Sequence, residues 1–133
     1  MSAELPASAE GGCLCGALRF RLSTAPFDVV YCHCADCRRS SAAPVSLFVE
    51  VREEFFEITR GAPAVYASSP GVARSYCRDC GTPLSYQAER YPGERHLLIG
   101  TFDQPEKFPP TRHVFTAEAL PWFHIGDELP RRR

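Results

Sequence analysis

The chain has 133 residues, 44% of them hydrophobic, enough to close one core of ordinary domain size. Its formal net charge of −1 excludes the strong basic excess of a generic nucleic-acid surface. No apolar run approaches the ~18 residues of a membrane-spanning helix, and twelve prolines with nine glycines interrupt any long helical pattern.

Residues 1–10 are rich in Ala, Ser and Glu and lack the basic and apolar regions of a secretory signal. They are expected as a disordered tail. The expected setting is cytoplasmic, where thiols stay reduced. One domain is expected over residues 11–126, followed by a C-terminal tail at 127–133 that ends in Arg131, Arg132 and Arg133 as solvated charge. Apolar and basic residues alternate over 17–22, as in a half-buried strand, and 27–31 is rich in strand formers. Residues 35–41 suit a short helical turn. Strands are expected at 44–51 and 55–59, and a turn at 61–63. Residues 64–67 and 72–76 flank the turn residues 68–71 and read as a hairpin. Residues 96–102 form the clearest late strand, 105–110 a proline-rich loop, and 112–116 and 122–125 short terminal strands. Many short strands at close spacing indicate a mainly β domain.

All seven cysteines fall into three groups: Cys13/Cys15, Cys32/Cys34/Cys37 and Cys77/Cys80. An odd number cannot pair completely within one chain, and clustered thiols in a reducing compartment read as metal ligands. Zinc takes four ligands in a tetrahedron. Cys13/Cys15 and Cys77/Cys80 are each followed by a glycine, Gly16 and Gly81. Glycine tolerates positive φ, which lets backbone N–H groups turn toward the sulfurs. The two pairs are therefore expected to close one structural four-cysteine site. A different partition, with Cys13/Cys15 joined to two central thiols, is weakly disfavoured because no glycine follows Cys37.

Cys32, Cys34 and Cys37 then hold a second ion and leave one corner of its tetrahedron open, the arrangement of a catalytic zinc. The alternative is a fourth protein ligand from His33, His96, His113 or His124. An open corner suits a substrate thiol, which zinc holds deprotonated. Arg38 and Arg39 follow the trio and are expected to pair with carboxylates of the incoming molecule; their other reading is solvated surface charge. His33 and Asp36 lie near enough in sequence to carry protons.

The pattern C-x-C-G, C-H-C-x-x-C-R and C-x-x-C-G resembles the family of glutathione-dependent formaldehyde-activating enzymes, whose domain is shared with centromere protein V. Residues 110–115 and 120–122 are similar to the family's C-terminal signature. The resemblance implies a mainly β, Mss4-like fold with two Zn2+ ions. It implies Cys13, Cys15, Cys77 and Cys80 as structural ligands and Cys32, Cys34 and Cys37 as ligands of the catalytic zinc. A glutathione sulfur would take the fourth place. Ser40-Ser41 departs from the small residue and glycine common there in the family. The implied function is that of a carbon–sulfur lyase similar to S-(hydroxymethyl)glutathione synthases. Its expected partners are a glutathione-like thiol and formaldehyde or another small aldehyde, with neither nucleic acid nor membrane. The competing reading is a non-catalytic binding or scaffold module with two structural zincs.

Overall fold

The computed structural model describes residues 4–133, so residues 1–3 of the expected N-terminal tail lie outside the described residues. Ten strands and one α-helix form two sheets. The smaller sheet has the order β1 (Ala9–Gly12), β2 (Arg19–Leu22) and β5 (Phe56–Arg60), all antiparallel. The larger one contains β3 (Asp28–Cys32), β4 (Ser46–Arg52), β6 (Ala64–Ser69), β7 (Val72–Tyr76), β8 (Pro83–Ala88), β9 (Glu94–Leu98) and β10 (Arg112–Val114). Its spatial order is β10-β3-β4-β9-β8-β7-β6; only the β10–β3 pair is parallel. Helix α1 (Ala35–Ser41) directly follows β3.

Side chains alternate across a strand, so the register divides the larger sheet into two faces. One face carries Val29, Val49, Val51 and Leu97, each fully buried, which join Leu18, Phe20 and Leu22 from the smaller sheet in a single core. Each such side chain contributes roughly 1.5–3 kcal/mol by leaving water. Arg95 crosses between the layers: it stacks 4.4 Å over the Phe56 ring and donates two hydrogen bonds to the Glu53 carboxylate. Gly11 approaches the larger layer's connections so closely that a Cβ there would lie 2.2 Å from the Thr101 carbonyl oxygen.

The opposite face is differently built. Register places Cys32 beside Ser46, Val30 beside Phe48, and Asp28 beside Glu50 on that face. It continues through Leu98 and His96 on β9, Tyr86 on β8 and Arg74 on β7, with Arg112 and Val114 on β10 at the other side. Val30, Phe48, Tyr86, Ala88 and Val114 form a second apolar cluster there together with Cys32 and Cys37.

Several elements differ from their sequence expectation. Ala9 and Glu10 belong to β1, not to a disordered tail, because they pair with Leu22 and Arg21. The expected strand over 96–102 ends at Leu98 and continues as a 3-10 turn at Ile99–Thr101, where the Thr101 hydroxyl donates to the Leu98 carbonyl. Residues 122–125 form no strand. The C-terminal segment does not lie free: Arg131 bridges to His113, and the Arg132 N–H donates to the His113 carbonyl.

Candidate metal centres and the cavity beside them

The first cysteine group is assembled from two tight turns. Gly16 and Gly81 have φ of +81° and +80°, and their N–H groups donate to the Cys13 and Cys77 carbonyls. The glycines therefore close the turns, and donors further along reach the sulfurs: Leu18 N–H lies 3.2 Å from Cys13 Sγ. The Thr82 hydroxyl lies 3.1 Å from Cys80 Sγ, and this contact heads the causes that lower Cys80 to about 5. Cys13, Cys15, Cys77 and Cys80 bring their sulfurs within 4.8 Å of one another. Two of the spacings, Cys13–Cys15 and Cys15–Cys77, are 3.6 and 3.9 Å. A tetrahedron with Zn–S near 2.3 Å separates its sulfurs by about 3.8 Å, so the group fits a closed four-sulfur metal site. Cys77 is 1% exposed and belongs to the core between the sheets, with Cys13 and Cys80 packed against it.

The second group lies on the other face of the larger sheet. Cys32 ends β3, Cys34 caps α1 and Cys37 occupies its first turn. The cap is made by sulfur: Cys37 N–H donates to Cys34 Sγ at 3.3 Å. The three sulfurs lie within 4.8 Å of one another and could hold a metal ion. The Cys32 and Cys37 thiols, followed by the Cys37 N–H and the nearby Arg74 charge, hold Cys34 low, whereas Cys32 is held high. Such a set releases its first proton readily, which suits a cation-binding site. No fourth cysteine or histidine joins the trio among the described residues.

The trio forms part of the wall of a cavity of about 670 Å³. Val30, Phe48 and Val114 give this cavity an apolar floor, and Arg74, Arg90, Arg112 and Arg132 line it with positive charge. His33, Arg38 and Arg39, expected beside a ligand, do not line it. Arg38 and Arg39 follow Cys37 on a helix that turns about 100° per residue, which carries them off the sulfur face. Arg39 lines a neighbouring cavity of about 500 Å³, and Arg38 Nε is buried without a hydrogen-bond partner. The arginines of the cavity come from β7, β10, the β8–β9 connection and the C-terminal segment, none of which adjoins the trio in sequence.

His33 has turned to the opposite side and is fully buried. Its Nε2 lies 2.9 Å from His113 Nδ1, and His113 Nε2 lies 3.0 Å from an Asp127 carboxylate oxygen. Burial, reinforced by the positive field of His113, pushes His33 below its ordinary pKa. A third cluster, Glu50, Glu94 and His96, lines the same cavity as the trio and was not singled out from the sequence. Its members lie on β4 and β9, and only the pairing of Glu50 with His96 brings them together.

The sequence model of the glutathione-dependent formaldehyde-activating enzymes matches residues 8–118. The chain belongs to this family. A Halomonas elongata relative, named as a candidate glutathione-dependent formaldehyde-activating enzyme, is 28% identical over 126 residues; the match covers 87% of this chain and 80% of the relative. An uncharacterized lyase of Schizosaccharomyces pombe is 30% identical over 77 residues, or 58% of this chain and 56% of that protein. The crystal structure of a Rhodobacter sphaeroides protein shares the fold with a TM-score of 0.59 at 24% identity, over 71% of this chain and 87% of that one. The family match includes all seven cysteines but stops before Asp127, so the His113–Asp127 contact reaches beyond it. No helix among the described residues is long and apolar enough to cross a membrane.

Proposed function

We propose that this chain is a zinc-dependent enzyme of the carbon–sulfur lyase type, similar to S-(hydroxymethyl)glutathione synthases. It would join the sulfur of glutathione or a similar thiol to formaldehyde or another small aldehyde, and release them in reverse. The observation that carries this reading is the unequal setting of the two sulfur groups. Four sulfurs converge on two turns at the margin of the core, with Cys77 inside it and none of the four lining the large cavity, whereas three converge at the wall of that cavity of about 670 Å³.

Two zincs per chain follow from this reading, held by Cys13, Cys15, Cys77 and Cys80 in the structural site and by Cys32, Cys34 and Cys37 in the catalytic one. An ion bound by three thiolates supplies Lewis acidity and lowers the pKa of a thiol offered to its remaining position. The chain's own residues do the rest. Arg74 and Arg90 act electrostatically on Cys34 and so favour the approach of an anionic sulfur. Val30, Phe48 and Val114 exclude water from the floor against which the aldehyde carbon would rest. The S–C bond forms as the carbonyl π pair moves to oxygen, and that oxygen takes one proton. On the same wall the Asp36 carboxylate can take up the proton that the thiol releases, and the Tyr86 hydroxyl can donate to the new alkoxide oxygen.

The reaction is fast and reversible without a catalyst, so exchange rates test it better than yields. Two-dimensional exchange NMR on glutathione and formaldehyde at equilibrium should show faster interconversion with zinc-loaded protein. Cys34→Ser should abolish the acceleration. An unchanged exchange rate with the wild-type protein would favour a scaffold in place of an enzyme.

A further inference from the structure

Glu50 occupies an expensive position. It is 9% exposed, lines the cavity that the cysteine trio faces, and its carboxylate receives no hydrogen bond among the described residues. The nearest basic side chain is His96, whose Nδ1 lies 3.4 Å away; the other ring nitrogen, Nε2, lies 2.9 Å from Glu94. Because the two carboxylates meet opposite nitrogens of one imidazole, the ring bridges them, and its two lone-pair directions cannot converge on one metal ion. The rings of Phe48, Tyr86 and Tyr91 surround His96 with centroids 5.4–6.3 Å away. The other charges facing Glu50 are Asp28 on β3 and Arg112 on β10. Arg112 donates to Asp28 at 2.8 Å, so its charge is already paired. The cavity is therefore polarised: Arg74 and Arg90 act on the trio, and an under-bonded carboxylate with a second beside it lies at the other end.

Register gives the length of that polarity. Cys32 pairs with Ser46, and Glu50 lies four residues further along the same face of β4, with Phe48 between them. At a strand rise near 3.4 Å this separation is roughly 13 Å. That is too far for Glu50 to touch a carbon bonded directly to the reacting sulfur, which removes it as the proton carrier. It matches the far end of an amino-acid-derived thiol. In glutathione roughly eight covalent bonds separate sulfur from ammonium, about 10 Å when extended, and an N–H···O contact adds about 3 Å.

We infer that Glu50, seconded by Glu94 through His96, is the ammonium-recognising end of the cavity, and that it selects zwitterionic thiols over simple ones. This rests on the reading that the trio presents an open position to a thiol. The test is calorimetric titration of zinc-loaded protein with glutathione and with its analogue carrying hydrogen in place of the ammonium, using the wild type and Glu50→Gln. The wild type should prefer glutathione by about ten- to a hundredfold, the range of a charge-assisted hydrogen bond. Glu50→Gln should erase that preference while leaving the analogue's affinity unchanged. Equal binding of the two thiols by the wild type, or a parallel loss of both in the variant, would overturn the inference while the open thiol position stands. Failure of either thiol to bind the wild type would overturn both.

Discussion

His33, seated between two cysteines of the trio, places Nε2 2.9 Å from Nδ1 of His113. Desolvation opposes the charge on Asp127, but its bonds from His113 and the Leu129 N–H together outweigh that and hold its carboxyl below the ordinary range, so it accepts from both. His113 therefore donates from Nε2 to Asp127, one proton lies between His33 Nε2 and His113 Nδ1, and His33 Nδ1 is buried without a partner. The chain of contacts ties the Cys32–Cys37 loop to the C-terminal segment.

Breaking that chain has a definite cost. His113→Ala would strip the His33 side chain of its one hydrogen bond, leave a gap beneath Tyr31, whose ring stacks at 4.6 Å, and remove the side-chain bond to Asp127 that helps hold the 127–133 segment. The expected loss is about 2–4 kcal/mol in a urea titration. Hydrogen exchange at the Arg132 amide, which donates to His113, should accelerate more than exchange in β4.

The two cysteine groups should differ in what they support. Cys77→Ser removes a ligand that is 1% exposed within the core, so it should cost folding outright, and strong chelators should unfold the wild type. Cys34→Ser should leave far-UV circular dichroism close to wild type and remove one equivalent of zinc. Equal collapse of both variants would contradict the division between a structural site and a site at the cavity wall.

Ala42 caps α1 in the left-handed region, with φ 54° and ψ 39°. A side chain there costs roughly 1–2 kcal/mol, which glycine avoids. Ala42→Gly should therefore stabilise the protein by about 0.5–1 kcal/mol net of the extra freedom it gives the unfolded chain, read from the shift in urea midpoint. Ser40 and Ser41, the departure from the family pattern noted in the sequence, are meanwhile occupied. Both hydroxyls donate to the Cys37 carbonyl, and Ser40 also receives Arg74 Nη1 at 3.0 Å.

Glu50 links ligand recognition to stability. Burial raises its pKa in the folded protein, partly offset by the His96 charge, so the folded state holds the proton more tightly than the unfolded chain. Stability from this source is complete below the ordinary carboxylate range and is lost as pH rises through the elevated value. Glu50→Gln should accordingly raise Tm at neutral pH, and the gain should fade as the pH is lowered to where the wild-type carboxyl is protonated in both states. A variant less stable at pH 7 than the wild type would contradict this assignment.

Much of this was legible in the residues themselves. The partition of the cysteines, the short helix over 35–41 and the 64–76 hairpin each depend on local spacing, turn chemistry or capping. The acidic end of the cavity was not legible. Glu50 and His96 are separated by a long stretch of chain and become neighbours only through β4–β9 register, which no local pattern encodes. For the same reason Arg38 and Arg39, next to the trio in sequence, yield the cavity to Arg74 and Arg90, which arrive from other elements. The His113–Asp127 contact required the C-terminal segment to fold back along β10, and nothing in its composition predicts that.

The most direct measurement is zinc-edge X-ray absorption on the fully loaded protein, with and without saturating glutathione. The account predicts two zincs per chain, whose averaged coordination shell rises by about half a sulfur per zinc, from about 3.5 to about 4 at about 2.3 Å, when the thiol is added. Cys34→Ser should not show that gain. A shell already closed by protein ligands, and unchanged by glutathione, would contradict it.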